Sequence, residues 1–198
     1  MSLRHLVETA LLVERGLLVE VVGEEITVSD VIHDSRQVGA GALFCWIRGE
    51  KEDGHDFADQ ARHAGATALL VDHVLPLDIA QVVVRDVRMS MGLLAAALRK
   101  YPSKRMHVVG VTGTNGKTTT AHLLAEILRV HGWKTEVIGT LTGARTTPES
   151  TDLQRMLFEY ERNGVQAVVM EVTSHALELH RVMGTTFEVA VFTNLSRS

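Results

Sequence analysis

The chain has 198 residues, of which 45% are apolar and 22% charged, the balance of an ordinary globular protein with room for one large or two small domains. A formal charge of −4 argues against a general nucleic-acid surface, and no apolar run reaches the roughly 20 residues of a membrane span. The single cysteine, Cys45, excludes an internal disulfide and suits a reducing compartment, and charges at Arg4, Glu8 and Glu14 are unlike a secretory signal, so a cytoplasmic location is expected.

In chain order, Leu3, Leu6, Val7, Ala10 and Leu11 share one helical face, which predicts a helix over 3–12. Two β-prone segments follow, 17–22 and 25–32. Residues 42–47 (Ala-Leu-Phe-Cys-Trp-Ile) read as a buried strand, in which Cys45 is a packing residue rather than a nucleophile. A short helix is expected over 57–64, closed by Gly65. Strands are expected at 68–71 and 81–84, with an Ala/Leu-rich helix at 89–98. The polar, proline-containing stretch 100–105 is the candidate linker. After it the order is strand, loop, helix, strand, loop, helix, strand, helix, strand, an alternation that implies a parallel sheet flanked by helices. Within it, Leu153, Met156, Leu157 and Tyr160 form the apolar stripe of a helix over about 152–163. Thr151 and Gln154 form a capping-box pattern at its start, and Gly164 stops it.

Residues 110–120 read Gly-Val-Thr-Gly-Thr-Asn-Gly-Lys-Thr-Thr-Thr. An apolar strand segment, 106–109, precedes them and a helical stretch, 121–130, follows, which is the context of a phosphate-binding loop. Glycines let backbone N–H groups turn inward around an anion, and the helix N-terminus adds partial positive charge. Gly113, Thr114, Asn115, Gly116, Lys117, Thr118 and Thr119 are the candidate nucleotide-binding residues. Lys117 would reach the terminal phosphates, and the Thr118 hydroxyl would bind a magnesium ion. The spacing departs from the usual Gly, four residues, Gly-Lys-Ser/Thr: Val111 stands in the first glycine slot, and Gly113 is additional. A plain glycine turn before a helix is the alternative. The apolar run 167–170 ends in Glu171, an acid at the C-terminal edge of the predicted sheet, where ligands bind in open α/β folds. There it could hold magnesium beside the loop, or be a solvated strand end. No Asn-Lys-x-Asp guanine-reading motif is present, which disfavours a GTPase.

Gly113-Thr-Asn-Gly-Lys-Thr-Thr119 resembles the ATP loop of the Mur ligases and their folylpolyglutamate synthetase relatives. Further segments strengthen the likeness: Asp34-Ser35-Arg36 with Gly41-Ala-Leu-Phe44, Gly49 to His55, Gly65-Ala66, Thr146-Thr147-Pro148, Glu171-Val-Thr173-Ser-His175 with Arg181-Val182, and Phe192-Thr-Asn194-Leu195. Their order is most similar to that of the family members that extend UDP-N-acetylmuramoyl-dipeptide. The resemblance implies an α/β protein with a mixed α/β UDP-binding domain (1–103), followed by part of a P-loop-containing parallel-sheet ATPase domain (104–198). It implies an ATP- and Mg2+-dependent amide ligase of peptidoglycan precursor synthesis. ATP would phosphorylate the carboxylate of UDP-MurNAc-L-Ala-D-Glu, and the amine of meso-diaminopimelate or L-lysine would attack the acyl phosphate. Lys117 and Glu171 would be catalytic, and Thr118 and Glu171 would hold the metal. Ser35, Thr146, Thr147, Thr173 and Arg181 would bind substrate. A monomer is expected, without nucleic acid or membrane. Thr173 stands where the family has serine, and Glu50-Lys-Glu52 places two acids where a diphosphate contact is expected. Ser198 stands where the family continues into Asp-His-Leu-Asp, so the chain alone is expected not to form the amide bond. The alternatives are another Mur ligase, a folylpolyglutamate synthetase relative, or a non-catalytic nucleotide-binding module. Asp34-Ser35-Arg36 also reads as a turn with a local salt bridge, Thr146-Thr147-Pro148 as a loop, and His175 as a core or capping histidine without a ligand.

Overall fold

The computed structural model describes residues 1–12, 16–47, 60–143 and 145–196. The chain divides into two compact units, Met1–Lys100 and Tyr101–Ser198.

The first unit begins with α1 (Leu3–Leu11), capped by the Ser2 hydroxyl and burying the five apolar residues that its periodicity marks. Five strands follow: β1 (Leu18–Val22), β2 (Asp30–Ile32), β3 (Ala42–Cys45), β4 (Ala66–Val71) and β5 (Ala80–Val84). They form one sheet in the order β1-β5-β4-β3-β2, with β1 antiparallel to β5 and the others parallel. The three middle strands are apolar almost throughout because both sheet faces are covered. On one face Phe44, Trp46, Leu69, Val71 and Val83 form a core cluster with Ala61 and Leu75. The helix α2 (Val87–Leu98), capped by the Asp86 carboxylate on Met89 N–H, packs on α1 and on the sheet. Gln81 is the polar exception in β5: it is buried, and its amide exchanges hydrogen bonds with the Leu75 and Leu77 backbone.

The segment expected as a strand over 25–32 narrows to β2, since Thr27 makes only an isolated bridge to Ser2. Residues 60–63 of the helix expected at 57–64 are helical, and 57–59 lie outside the described residues. The expected linker is ordered. Lys100 and Tyr101 adopt left-handed φ of 58° and 55° and end α2. Pro102–Arg105 then form a 3-10 turn, with Arg105 paired to Glu161.

The second unit contains β6 (His107–Thr112), α3 (Lys117–Val130), β7 (Thr135–Ile138), α4 (Ser150–Arg162), β8 (Ala167–Glu171), α5 (Ser174–Glu178) and β9 (Val189–Phe192). Its sheet is parallel in the order β7-β8-β6-β9. Alternation along the strands sorts side chains between two cores. Val108, Val168 and Met170 join Leu153 and Leu157 of α4 on one face. Val111, Val137 and Val169 join Ala121 and Ala125 of α3 on the other. Parity with Val169 therefore sends Glu171 to the α3 face, and register sets it beside Val111, the next-to-last residue of β6.

The capping box expected at Thr151 and Gln154 is not formed. The helix begins earlier, with Glu149 at its N-cap, and Thr151 lies inside its first turn. The Gln154 amide is buried and donates to Thr185 Oγ1 instead.

Candidate functional site

Strand β6 ends at Thr112, and α3 begins at Lys117 after four intervening residues. Gly113 has φ +132° and Gly116 φ +81°, values that side chains resist; Gly116 is the N-cap of α3 and offers no capping side chain. The N-cap therefore supplies no side-chain acceptor to the first N–H groups at the helix's positive end. The Lys117 ammonium folds over the loop and donates to the carbonyls of Gly113 (2.8 Å) and Thr114 (3.1 Å). Thr119, in the first turn, is exposed.

Glu171 is 1% exposed at the end of β8. Thr118 Oγ1 donates to its Oε2 at 2.8 Å, and Thr140 N–H, just past β7, donates to its Oε1 at 3.0 Å. Thr140 Oγ1 lies 3.4 Å from the same carboxylate and 3.0 Å from Thr146 Oγ1. A Cβ on Gly139 would lie 2.2 Å from Glu171 Oε1, so only glycine leaves room for the carboxylate there. All these partners are neutral, and no cationic side chain among the described residues pairs with Glu171. A buried anion flanked by a hydroxyl is the hard-oxygen donor set that magnesium takes. Among the described residues no group of three or more His, Cys, Asp or Glu side chains converges.

The loop before α4 lies at the same sheet edge. Thr147 is buried, and its hydroxyl is already engaged: it donates to the Glu171 carbonyl (2.9 Å) and accepts from Thr173 N–H (3.3 Å). Thr173 Oγ1 caps α5 through Ala176 N–H (3.1 Å), a task that serine or threonine performs equally. Of the predicted pair, Thr146 therefore has the freer hydroxyl. Arg181, 9% exposed, lies with its Nε 3.0 Å from Glu149 Oε1, in ion-pair contact but without hydrogen-bond alignment. Arg145 Nη1 reaches the same oxygen at 3.0 Å. His175 is exposed, and its nearest charged partner is Glu178 at 3.9 Å.

In the first unit, Ser35 opens a 3-10 turn, Ser35–Gln37. Asp34 caps it and accepts from Arg36 N, Nε and Nη2 at 3.0, 2.9 and 2.7 Å. Those Arg36 bonds hold the Asp34 carboxyl well below the usual carboxylate range. The salt-bridged turn is thus real, and Ser35 sits half-buried within it. Glu50, Lys51, Glu52 and the following Asp53-Gly54-His55 lie outside the described residues. Cys45 is fully buried, and burial pushes its thiol far up, as packing rather than catalysis requires.

Sequence reasoning overlooked Thr140, Glu149 and Arg145. Thr140 alone left a signal: it follows a predicted strand at the edge where ligands gather.

Comparison with known proteins finds relatives along most of the chain. The family model described as the Mur ligase middle domain matches residues 111–198, and that of the Mur ligase family catalytic domain matches residues 27–115. The chain is 40% identical over 183 residues to the UDP-N-acetylmuramoyl-L-alanyl-D-glutamate–2,6-diaminopimelate ligase of Bacillus cereus, covering 88% of this chain and 37% of that protein. It is 46% identical over 173 residues to the Geobacillus kaustophilus enzyme of the same name, covering 83% and 35%. A solved structure of such a diaminopimelate ligase superposes with a TM-score of 0.76 at 32% identity, over 86% of this chain and 37% of that one. The MurF ligase from Thermotoga maritima in complex with ADP superposes with a TM-score of 0.58 at 26% identity, over 83% and 37%. The chain thus spans a little over a third of the length of the curated relatives it matches. No helix among the described residues is long and apolar enough to cross a membrane.

Proposed function

The chain belongs to the Mur ligase family, and from that premise we propose that it carries the UDP-sugar-binding and ATP-binding parts of a ligase that joins a diamino acid to UDP-MurNAc-L-Ala-D-Glu. The observation that carries this reading is the Thr118–Glu171–Thr140 cluster beside the Lys117 loop. A carboxylate is a poor electrophile. Its oxygen would attack the γ-phosphorus of ATP, ADP would leave, and the acyl phosphate would be open to an amine, with phosphate leaving and the amine losing a proton.

The residues then divide the work. The N–H groups of Gly116, Lys117 and Thr118 would hold the phosphate chain, and the Lys117 ammonium would offset charge at its end. Thr118 and Glu171 would hold Mg2+, which supplies further charge neutralisation when bound. Thr146 and the Arg181 guanidinium would orient the peptide portion, with Glu149 fixing the guanidinium. Ser35 would meet the uridine end in the first unit. The relatives' names make 2,6-diaminopimelate the favoured amine. The protein is proposed to act as a cytoplasmic monomer.

Calorimetric titration with ADP and Mg2+ tests the reading. The parent chain should bind ADP, and Lys117→Ala should bind at least about tenfold more weakly. Equal affinity in the two proteins would refute it.

A further inference from the structure

The loop is held in place from outside its own strand and helix. Residues 193–196, just past β9, lie along Gly113–Asn115. The Asn194 carbonyl accepts from Thr114 N–H at 2.9 Å. The Asn194 side-chain amide then pairs with the Asn115 backbone at two points. Its Oδ1 accepts from Asn115 N–H at 3.2 Å, and its Nδ2 donates to Asn115 O at 3.1 Å. Thr193 Oγ1 donates to the same Asn115 carbonyl at 2.7 Å. Ser196 closes the seam, with its N–H donating to Thr114 Oγ1 at 3.1 Å and its Oγ accepting from Asn115 Nδ2 at 3.2 Å.

Gly113 sits against the same seam. A Cβ there would lie 2.2 Å from Thr193 Oγ1, and 2.9 and 3.0 Å from Asn194 O and N. The glycine that breaks the usual loop spacing therefore makes room for the 193–196 segment.

We propose that Asn194 is a positioning residue for the nucleoside-diphosphate cradle, acting through the Asn115 peptide; this rests on the reading of the loop as an ATP site. A cradle binds an anion only through N–H groups that are not already satisfied. Asn194 takes the N–H groups of Thr114 and Asn115 out of play. It fixes the peptide leading into α3, so that those of Gly116, Lys117 and Thr118, which have no intrahelical acceptor, form the open set. Only an amide of this length both donates and accepts here: aspartate lacks the donor for Asn115 O, leucine lacks both groups, and glutamine is one methylene too long.

The test compares the parent chain with Asn194→Ala, Asn194→Leu and Lys117→Ala by ADP calorimetry, urea denaturation and amide NMR. Both Asn194 variants should bind ADP at least about tenfold more weakly, the loss of two hydrogen bonds at the loop. Their urea midpoints should fall only slightly, since both lost bonds are solvent-exposed. The ADP-induced shifts of the Gly116, Lys117 and Thr118 amide resonances should collapse, which a merely stabilising residue would not cause. If Asn194→Ala does not fold, the bulkier Asn194→Leu decides. Parent-like ADP affinity in the Asn194 variants, with binding lost in Lys117→Ala, would overturn the proposal and leave the ATP reading standing. A parent chain that does not bind ADP would overturn both.

Discussion

Replacing Gly113 by alanine separates two reasons for a glycine in the loop between β6 and α3. At Gly116 a Cβ would meet nothing within 4 Å, so Gly116→Ala pays only for its φ of +81°, about 1–2 kcal/mol. At Gly113 the φ of +132° costs about 1–3 kcal/mol. The new methyl also collides with the Thr193 hydroxyl at 2.2 Å and the Asn194 backbone at 2.9 and 3.0 Å. Overpacking of that kind adds about 1–3 kcal/mol. Gly113→Ala should therefore cost roughly 4 kcal/mol, or be relieved only by detaching the 193–196 segment. Urea denaturation followed by far-UV circular dichroism measures the first outcome, and ADP affinity registers both. Thr193→Ala in the Gly113→Ala background should recover only part of the loss, because the Asn194 backbone contacts remain. If Gly113→Ala and Gly116→Ala match in stability and in ADP affinity, the steric argument is wrong.

The remaining predictions concern charge and burial. Glu171→Gln keeps the shape but loses the anion, so the enhancement of ADP affinity by Mg2+ should fall about tenfold or more; an unchanged Mg2+ dependence would remove Glu171 from the metal site. Cys45 should react with a thiol reagent no faster than its unit opens, since burial suppresses the thiolate; rapid labelling of folded protein would contradict its burial. Because Arg36 depresses the Asp34 carboxyl, the turn's contribution to stability should be present above the ordinary carboxylate pKa of about 3.9 and fade as pH falls below it. Parent and Asp34→Asn should accordingly differ in thermal midpoint at pH 7 and converge in acid, and a gap that persists in acid would refute the pairing.

Much of the architecture is legible locally. The stripe Leu153, Met156, Leu157 and Tyr160 does face the core around Val168 and Met170. The run before Glu171 is a strand that ends in a buried acid. The misreadings are also physical. Thr151 and Gln154 have the spacing of a capping box, but the helix starts earlier and Gln154 finds Thr185. Residues 25–28 have strand propensity but gain only one bridge, at Thr27, so propensity alone did not make them a strand.

By itself the sequence determined the glycine-rich loop, its strand–helix setting and the acid at the end of β8, because strand and helix periodicity and glycine conformational freedom are local properties. Only the tertiary structure decided what those parts meet. Thr118 and Glu171 are 53 residues apart, and Asn115 and Asn194 are 79 apart. Their contact follows from the strand order β7-β8-β6-β9, which sets β8 and β9 on either side of the loop's own strand. Such pairings rest on the order in which strands associate, and local periodicity does not encode that order.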